Sequence, residues 1–233
     1  MFSDLASYLC ISIFLMMNIK RLKIYGLFLL LLHGTGFTLQ AQSDDFTTWT
    51  TMKVSHKLTP DFSIAGKVEL RTKDSMKTMD RWGTSLSGSY QLFPFLKAEG
   101  GYELHHRNRG AEGWKYRHRY NLGVTGSVKW QRMKFSLRER FQQTFSDGNA
   151  ENRLRSRLKV GYEPKKGILS PYFSAELYQA IGGAAFFDVA RMRYRPGVEI
   201  EISDKWSLDV FYCYQYEPDK SKHIVGIECS FAF

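Results

Sequence analysis

The sequence predicts an all-β protein: an antiparallel transmembrane β-barrel of about 10–12 strands with a polar, arginine-rich lumen. Three observations carry this. Arg191, Arg193 and Arg195 fall on one parity, while Met192, Tyr194, Val198, Ile200 and Ile202 fall on the other. Successive side chains of a strand point to opposite faces, so this segment is a two-faced strand. The pattern recurs about eleven times between Phe46 and Phe233, in segments of 10 to 15 residues. Soluble strands average roughly 5–6 residues, and a tilted membrane strand needs about 9–11. Finally, an export signal precedes the strands and an aromatic residue ends the last one.

The signal is read over residues 1–41. Asn18 to Lys23 form a basic region, residues 24–32 an apolar core, and the stretch through Ala41 a cleavage region, with Gln42 as the first mature residue. A second apolar stretch, 5–15, lies upstream of the basic region, which points to a true start at Met16 or Met17; the alternative is an uncleaved anchor. The mature domain is then 42–233. Its mean hydropathy contribution is low, the whole chain averaging -0.34. No apolar run after residue 41 approaches the roughly 20 residues of a spanning helix.

The expected strands are 46–58, 62–73, 81–92, 96–107, 115–129, 133–145, 152–162, 171–180, 189–202, 206–216 and 223–233. Turn residues such as Pro60-Asp61 and Pro94 separate them. Three-residue turns tend to alternate with longer loops, the habit of membrane barrels with short periplasmic turns. In 62–73, Phe62, Ile64, Val68 and Leu70 share one face, and Lys67, Glu69, Arg71 and Lys73 the other. In 96–107, Leu96, Ala98, Tyr102 and Leu104 oppose Lys97, Glu99, Glu103 and Arg107. In 115–129, Tyr116, Tyr120, Leu122, Val124 and Val128 oppose Lys115, Arg117, Arg119 and Lys129.

Over all segments the polar faces carry 22 Lys or Arg and 8 Asp or Glu, and the apolar faces one charge, Glu139. A Lys or Arg on the lipid face near the midplane costs about 2–4 kcal/mol, which explains the segregation. Glu139 marks a bulge, a strand end near headgroups, or a different register. Closure is required as well, because an open edge leaves backbone groups unpaired in hydrocarbon. Trp82, Tyr90, Tyr116, Phe135, Phe145, Tyr162, Trp206 and Tyr216 lie towards strand ends, as in two interfacial girdles. Bacterial single-chain barrels have even strand numbers, so eleven segments imply ten or twelve strands. Cys213 and Cys229 fall on opposite faces of neighbouring strands and are not placed to form a disulfide.

The charge has a use in this arrangement. Arg117, Arg119, Arg138, Arg140, Arg153, Arg155, Arg157, Arg191, Arg193 and Arg195 fall on lumen parity, with Glu176, Glu199 and Glu201 among the acids. Rings of Arg or Lys favour anions, so one reading is a small anion-attracting pore. The other is a non-conducting barrel filled by a satisfied Arg–Glu network. A charge carried inside argues against a nucleic-acid partner. No cofactor is expected.

A lipid-modifying enzyme is the third reading, resting on His106 and His118 on outward faces. No serine stands two residues from either on the same face, and the nearest outward one is Ser156. His105, His106, Glu112 and His118 match no metal-ligand spacing. Val225, Ile227, Phe231 and Phe233 share a parity, and this aromatic end is similar to the signal that barrel-assembly machinery reads. Outer-membrane lipids are the other expected partner.

Several short pieces together resemble a known family. They are Trp49, the strand 62–71, Arg81-Trp82, Pro171-Tyr172 with Glu176, Arg193-Tyr194-Arg195-Pro196-Gly197 and His223 to Ile227. Over about residues 42–233 the chain resembles the domain-of-unknown-function 2490 family, exported outer-membrane barrels of Gram-negative bacteria. The resemblance implies a barrel and a bacterial outer-membrane location; it implies no activity.

Overall fold

Alternating β-branched, aromatic and charged residues form eleven strands in the computed structural model: β1 (Asp45–Lys57), β2 (Phe62–Lys73), β3 (Thr78–Phe93), β4 (Leu96–Asn108), β5 (Trp114–Trp130), β6 (Met133–Ser146), β7 (Asn149–Tyr162), β8 (Leu169–Ile181), β9 (Val189–Glu201), β10 (Trp206–Glu217) and β11 (Lys220–Ala232). The structure describes residues 45–146, 148–165, 167–182, 187–218 and 220–233. The export signal expected over 1–41 lies outside the described residues. One short 3-10 turn, Gly110–Glu112, precedes β5.

Each strand pairs with its neighbours in the sequence, and β1 pairs with β11 to close the barrel. Ten of the eleven pairings are antiparallel; β1 and β11 are parallel, with Trp49 opposite Gly226 and Val54 opposite Phe231. This corrects the expectation of an even number. An up-and-down barrel with an odd count must bring its first and last strands together in the same direction. Closure satisfies both edges, which is the physical requirement behind the fold.

The strands run from 12 residues in β2 to 17 in β5. They reach further into the connections than hydropathy indicates, so the expected alternation of short turns and long loops is not observed. Only two positions separate β6 from β7 and β10 from β11, where the sequence predicts longer connections.

Outward parity is apolar. Leu86, Leu122, Val128, Leu137, Leu158 and Ile227 are all exposed there, where lipid would cover them. Aromatics gather at both rims. At one, Trp206 packs on Phe231 at 4.7 Å and His56 stacks on Phe233 at 4.5 Å. At the other, His106 stacks on Trp114 at 5.0 Å and on Tyr116 at 4.5 Å, with Trp82 edge-on at 5.4 Å.

Inside, the β1–β11 junction is filled by Phe211, Cys213 and Ile224, with Trp49 packed against them. Gly226 makes this possible. A Cβ there would stand 2.0 Å from Phe211 Cζ, so the ring lies flat on bare backbone. Gly226→Ala is expected to displace Phe211 and lower barrel stability by roughly 1–3 kcal/mol, the usual range for overpacking. A urea midpoint unchanged from wild type would contradict it. Cys213 is buried inside and Cys229 is on the outward parity of β11; both are free thiols.

Candidate functional site

The lumen holds a cavity of about 580 Å³ walled by charged and hydroxyl side chains. All ten arginines singled out from the sequence line it: Arg117 and Arg119 from β5, Arg138 and Arg140 from β6, Arg153, Arg155 and Arg157 from β7, and Arg191, Arg193 and Arg195 from β9. Neighbouring strands pair Arg138 with Arg157 and Arg140 with Arg155 in register, which turns sequence parity into a wall of guanidinium groups. Ser85 and Ser87 of β3 and Thr47 and Thr51 of β1 contribute hydroxyls to the lining.

Glu176 of β8 is the main carboxylate inside that wall. Arg155 Nη2 donates to its Oε1 at 2.6 Å and Tyr178 OH to its Oε2 at 3.1 Å. Arg157, Arg138 and Arg193 approach at 3.8, 3.9 and 3.7 Å. Arg193 is fixed further by Gln215 Oε1 at 2.8 Å and Tyr178 OH at 2.5 Å, and its guanidinium lies 4.8 Å from the Trp49 ring. Ion pairs this dehydrated gain from hydrogen bonds to the remaining donors, and Tyr178 and Gln215 supply them.

A second centre joins β2, β4 and β5. Arg119 Nη1 donates to Glu103 Oε2 at 3.0 Å, and Asn121 Nδ2 to Glu103 Oε1 at 3.3 Å. His105 Nε2 meets Glu103 Oε2 at 2.9 Å, with its Nδ1 3.4 Å from Glu69 Oε1. Arg71 Nη2 donates to Glu69 at 2.9 Å. Parity places Glu69 and Glu103 inside, but no sequence pattern shows that His105 stands between them. Its neighbour His106 faces outward, as their spacing dictates.

Smaller pairs complete the wall. Arg140 binds Glu99 at 2.5 Å, Arg191 Nε donates to Glu217 at 2.7 Å, and Arg117 and Arg153 both reach Glu151 at 3.1 Å. Arg195 pairs with Asp209 and donates through Nε to Tyr172 OH at 2.9 Å, while Tyr172 OH donates to Asp209 Oδ1 at 2.9 Å. Glu201 behaves differently from Glu176 and Glu199. It is exposed at the end of β9 opposite Ser207, apart from the cluster.

The cavity lining contains eighteen Lys or Arg and eight Asp or Glu. Pairing therefore leaves cations in excess even with Glu176 counted. Arg138 and Arg157 carry much of that excess, since their carboxylate contacts are no closer than 3.8 Å. The Nε donors of Arg71, Arg81, Arg107, Arg117, Arg138 and Arg155 are buried without a hydrogen-bond partner among the described residues.

A second cavity of about 430 Å³ adjoins the first. Arg157, Lys159, Tyr172 and Glu199 stand in the walls of both and so mark the junction. There Lys159 pairs with Glu199, and its ammonium lies 4.0 Å from the Tyr172 ring. Beyond the strands, Glu163 is held by Lys129 at 2.5 Å and Lys134 at 3.5 Å; the Lys129 hydrogen bond keeps its carboxyl below the usual range.

On the outer face, His118 Nδ1 is hydrogen-bonded to Tyr102 OH at 2.6 Å, and His106 is stacked in the girdle. Ser156 Oγ donates to Glu139 Oε2 at 2.6 Å. His106 and His118 are thus diagonal neighbours on β4 and β5, while Ser156 stands apart on β7. Glu139 itself is outward and mid-strand, and the β5–β6 and β6–β7 registers run without a shift, so neither a bulge nor a strand end explains it. Phe231 and Phe233, the expected assembly signal, pack 5.9 Å apart in the girdle, and the Phe233 amide donates to Ser55 O at 3.1 Å.

Residues 46–225 match the family described as "Protein of unknown function (DUF2490)". The chain belongs to that family. No curated protein matches this DUF2490 member. Among solved structures it is similar to the NanC porin, at 12% identity over 73% of this chain and 86% of that chain, with a TM-score of 0.47. It is similar to the KdgM porin at 15% identity over 70% and 81%, with a TM-score of 0.45. The translocator domain of the autotransporter NalP from Neisseria meningitidis gives 13% identity over 71% and 72%, with a TM-score of 0.40.

Proposed function

We propose that this DUF2490 barrel is a bacterial outer-membrane channel that favours small anionic solutes. The observation that carries the reading is the cationic excess on the lumen wall, eighteen basic side chains to eight acidic. Such a wall raises the local concentration of anions and repels cations. The apolar outward parity and the two aromatic rims support a membrane location, and the aromatic end of β11 fits recognition by barrel-assembly machinery. Export through a cleaved signal peptide is part of the same proposal.

The test is conductance in planar bilayers under a salt gradient. Ion flow is expected, with a reversal potential of anion-selective sign; a silent reconstituted protein would sink the reading. The junction gives a sharper handle. Glu199→Gln removes the carboxylate paired with Lys159 and leaves the ammonium facing both cavities. It is expected to raise anion over cation permeability by roughly eightfold, since one charge about 7 Å from a permeating ion in water favours the anion and disfavours the cation by about 0.6 kcal/mol each. A lowered ratio would contradict that assignment.

One observation favours a second reading. Around Glu176 and Glu103 the lumen is a dense hydrogen-bonded network, as expected of a barrel whose interior is structural. The same bilayer experiment separates the two, because a structural or interaction barrel does not conduct.

A further inference from the structure

Among the described residues, Glu139 is the one Asp, Glu, Lys or Arg on the outward parity of the strands, and it stands midway along β6. A Lys or Arg facing lipid at the midplane costs about 2–4 kcal/mol; an acid costs less, yet the position remains unfavourable. Ionisable groups at such depth mark contacts or function rather than ordinary lipid surface.

Glu139 belongs to a patterned face. Across the β6–β7 ladder, Leu137 is opposite Leu158, Glu139 opposite Ser156, Phe141 opposite Leu154, and Gln143 opposite Asn152. Apolar and polar levels therefore alternate up this one hairpin. At the lower polar level Ser156 Oγ donates to Glu139 Oε2 at 2.6 Å. At the upper level the Gln143 and Asn152 amides lie side by side on the outward parity, with Asn152 Oδ1 covered within its own chain. Acyl chains offer no donor or acceptor to either level.

We propose that the outward face of β6–β7 is where a second copy of this chain packs, in a dimer whose twofold axis runs along the membrane normal. Two copies inserted the same way present each residue at the same depth, and a twofold axis sets like level against like level. Both polar levels are self-complementary under that operation. Hydroxyl meets carboxylate at one, where each Ser156 can donate to the partner copy's Glu139 in place of its own. Amide meets amide at the other, where Gln143 carries both roles and Asn152 offers its Nδ2 donors. The two leucine and phenylalanine levels supply apolar contact between them. Small and polar residues at such interfaces hold membrane segments together where the hydrophobic effect cannot. This inference does not depend on whether the lumen conducts.

The test uses the full chain. Native mass spectrometry from detergent and from lipid nanodiscs is expected to give a dimer. In a Cys229→Ser background, Leu154→Cys is expected to form an inter-chain disulfide in isolated outer membranes. Leu86→Cys, equally outward but on β3, should not. The combined variant Glu139→Leu, Ser156→Ala, Gln143→Leu, Asn152→Leu should lose the dimer and keep the heat-modifiable mobility of a folded barrel. A wild-type monomer in both media would overturn the proposal. So would a dimer that survives the combined variant, a Leu154→Cys crosslink to a different protein, or crosslinking no stronger than that of Leu86→Cys. Should the combined variant not fold, the wild-type mass and the two cysteine positions decide.

Discussion

Glu176→Gln is expected to destabilise the barrel by about 3–5 kcal/mol, the usual loss when one partner of a buried charge cluster is removed. Only 4% of the Glu176 side chain is exposed, and Arg155 donates to it at 2.6 Å with three further arginines within 3.9 Å. The neutral amide keeps the shape and removes the charge. Guanidinium groups from β6, β7 and β9 then face one another in a confined space without compensation. Urea unfolding of the folded barrel, read by mobility or tryptophan fluorescence, measures the effect. Glu199→Gln is the internal control: that side chain is 47% exposed, so its loss is expected to cost less than about 1 kcal/mol. Equal midpoints for the two variants would refute the role given to Glu176.

Replacing both Arg138 and Arg157 with Gln is expected to reduce anion over cation selectivity by on the order of fiftyfold, from about 0.6 kcal/mol per charge lost to the anion and the same gained by the cation in a water-filled lumen. These two are chosen because their carboxylate contacts, 3.8 to 3.9 Å, are the longest among the lining arginines, so their charge is less neutralised than that of the others. Arg155 and Arg140, at 2.6 and 2.5 Å from Glu176 and Glu99, spend their charge on the wall itself. Reversal potentials of the double variant provide the measurement, and an unchanged ratio would place selectivity elsewhere. Raising ionic strength should shrink the difference between wild type and variant, because screening shortens the reach of each charge.

Much of this architecture was legible because period-two alternation is a local signal. The segment 62–73 coincides with β2, and 206–216 falls one residue short of β10 (Trp206–Glu217). Strand ends were harder. Thr78 and Lys220 continue the ladder beyond the apolar band, where backbone pairing persists although hydropathy has already turned polar. The parallel closure was not readable, since alternation looks the same whichever way a neighbour runs. Facing was legible for all ten arginines, but their pairing was not. Convergence on Glu176 from β6, β7 and β9 depends on register and barrel curvature, and no local pattern encodes either. Trp49 shows the same limit. It lies inside the barrel, under the Arg71 and Arg193 guanidinium groups at 3.8 and 4.8 Å, although an aromatic near a strand start resembles a girdle residue.

The shared direction of β1 and β11 fixes where the thread enters and leaves. Eleven traverses carry the polypeptide across the barrel a net single time, so Asp45 and Ala232 stand at opposite mouths. With the barrel in a membrane, segments joined before β1 and after β11 belong to different compartments. In that setting the closing β1–β11 ladder joins the two strands whose free ends point to opposite sides of the bilayer.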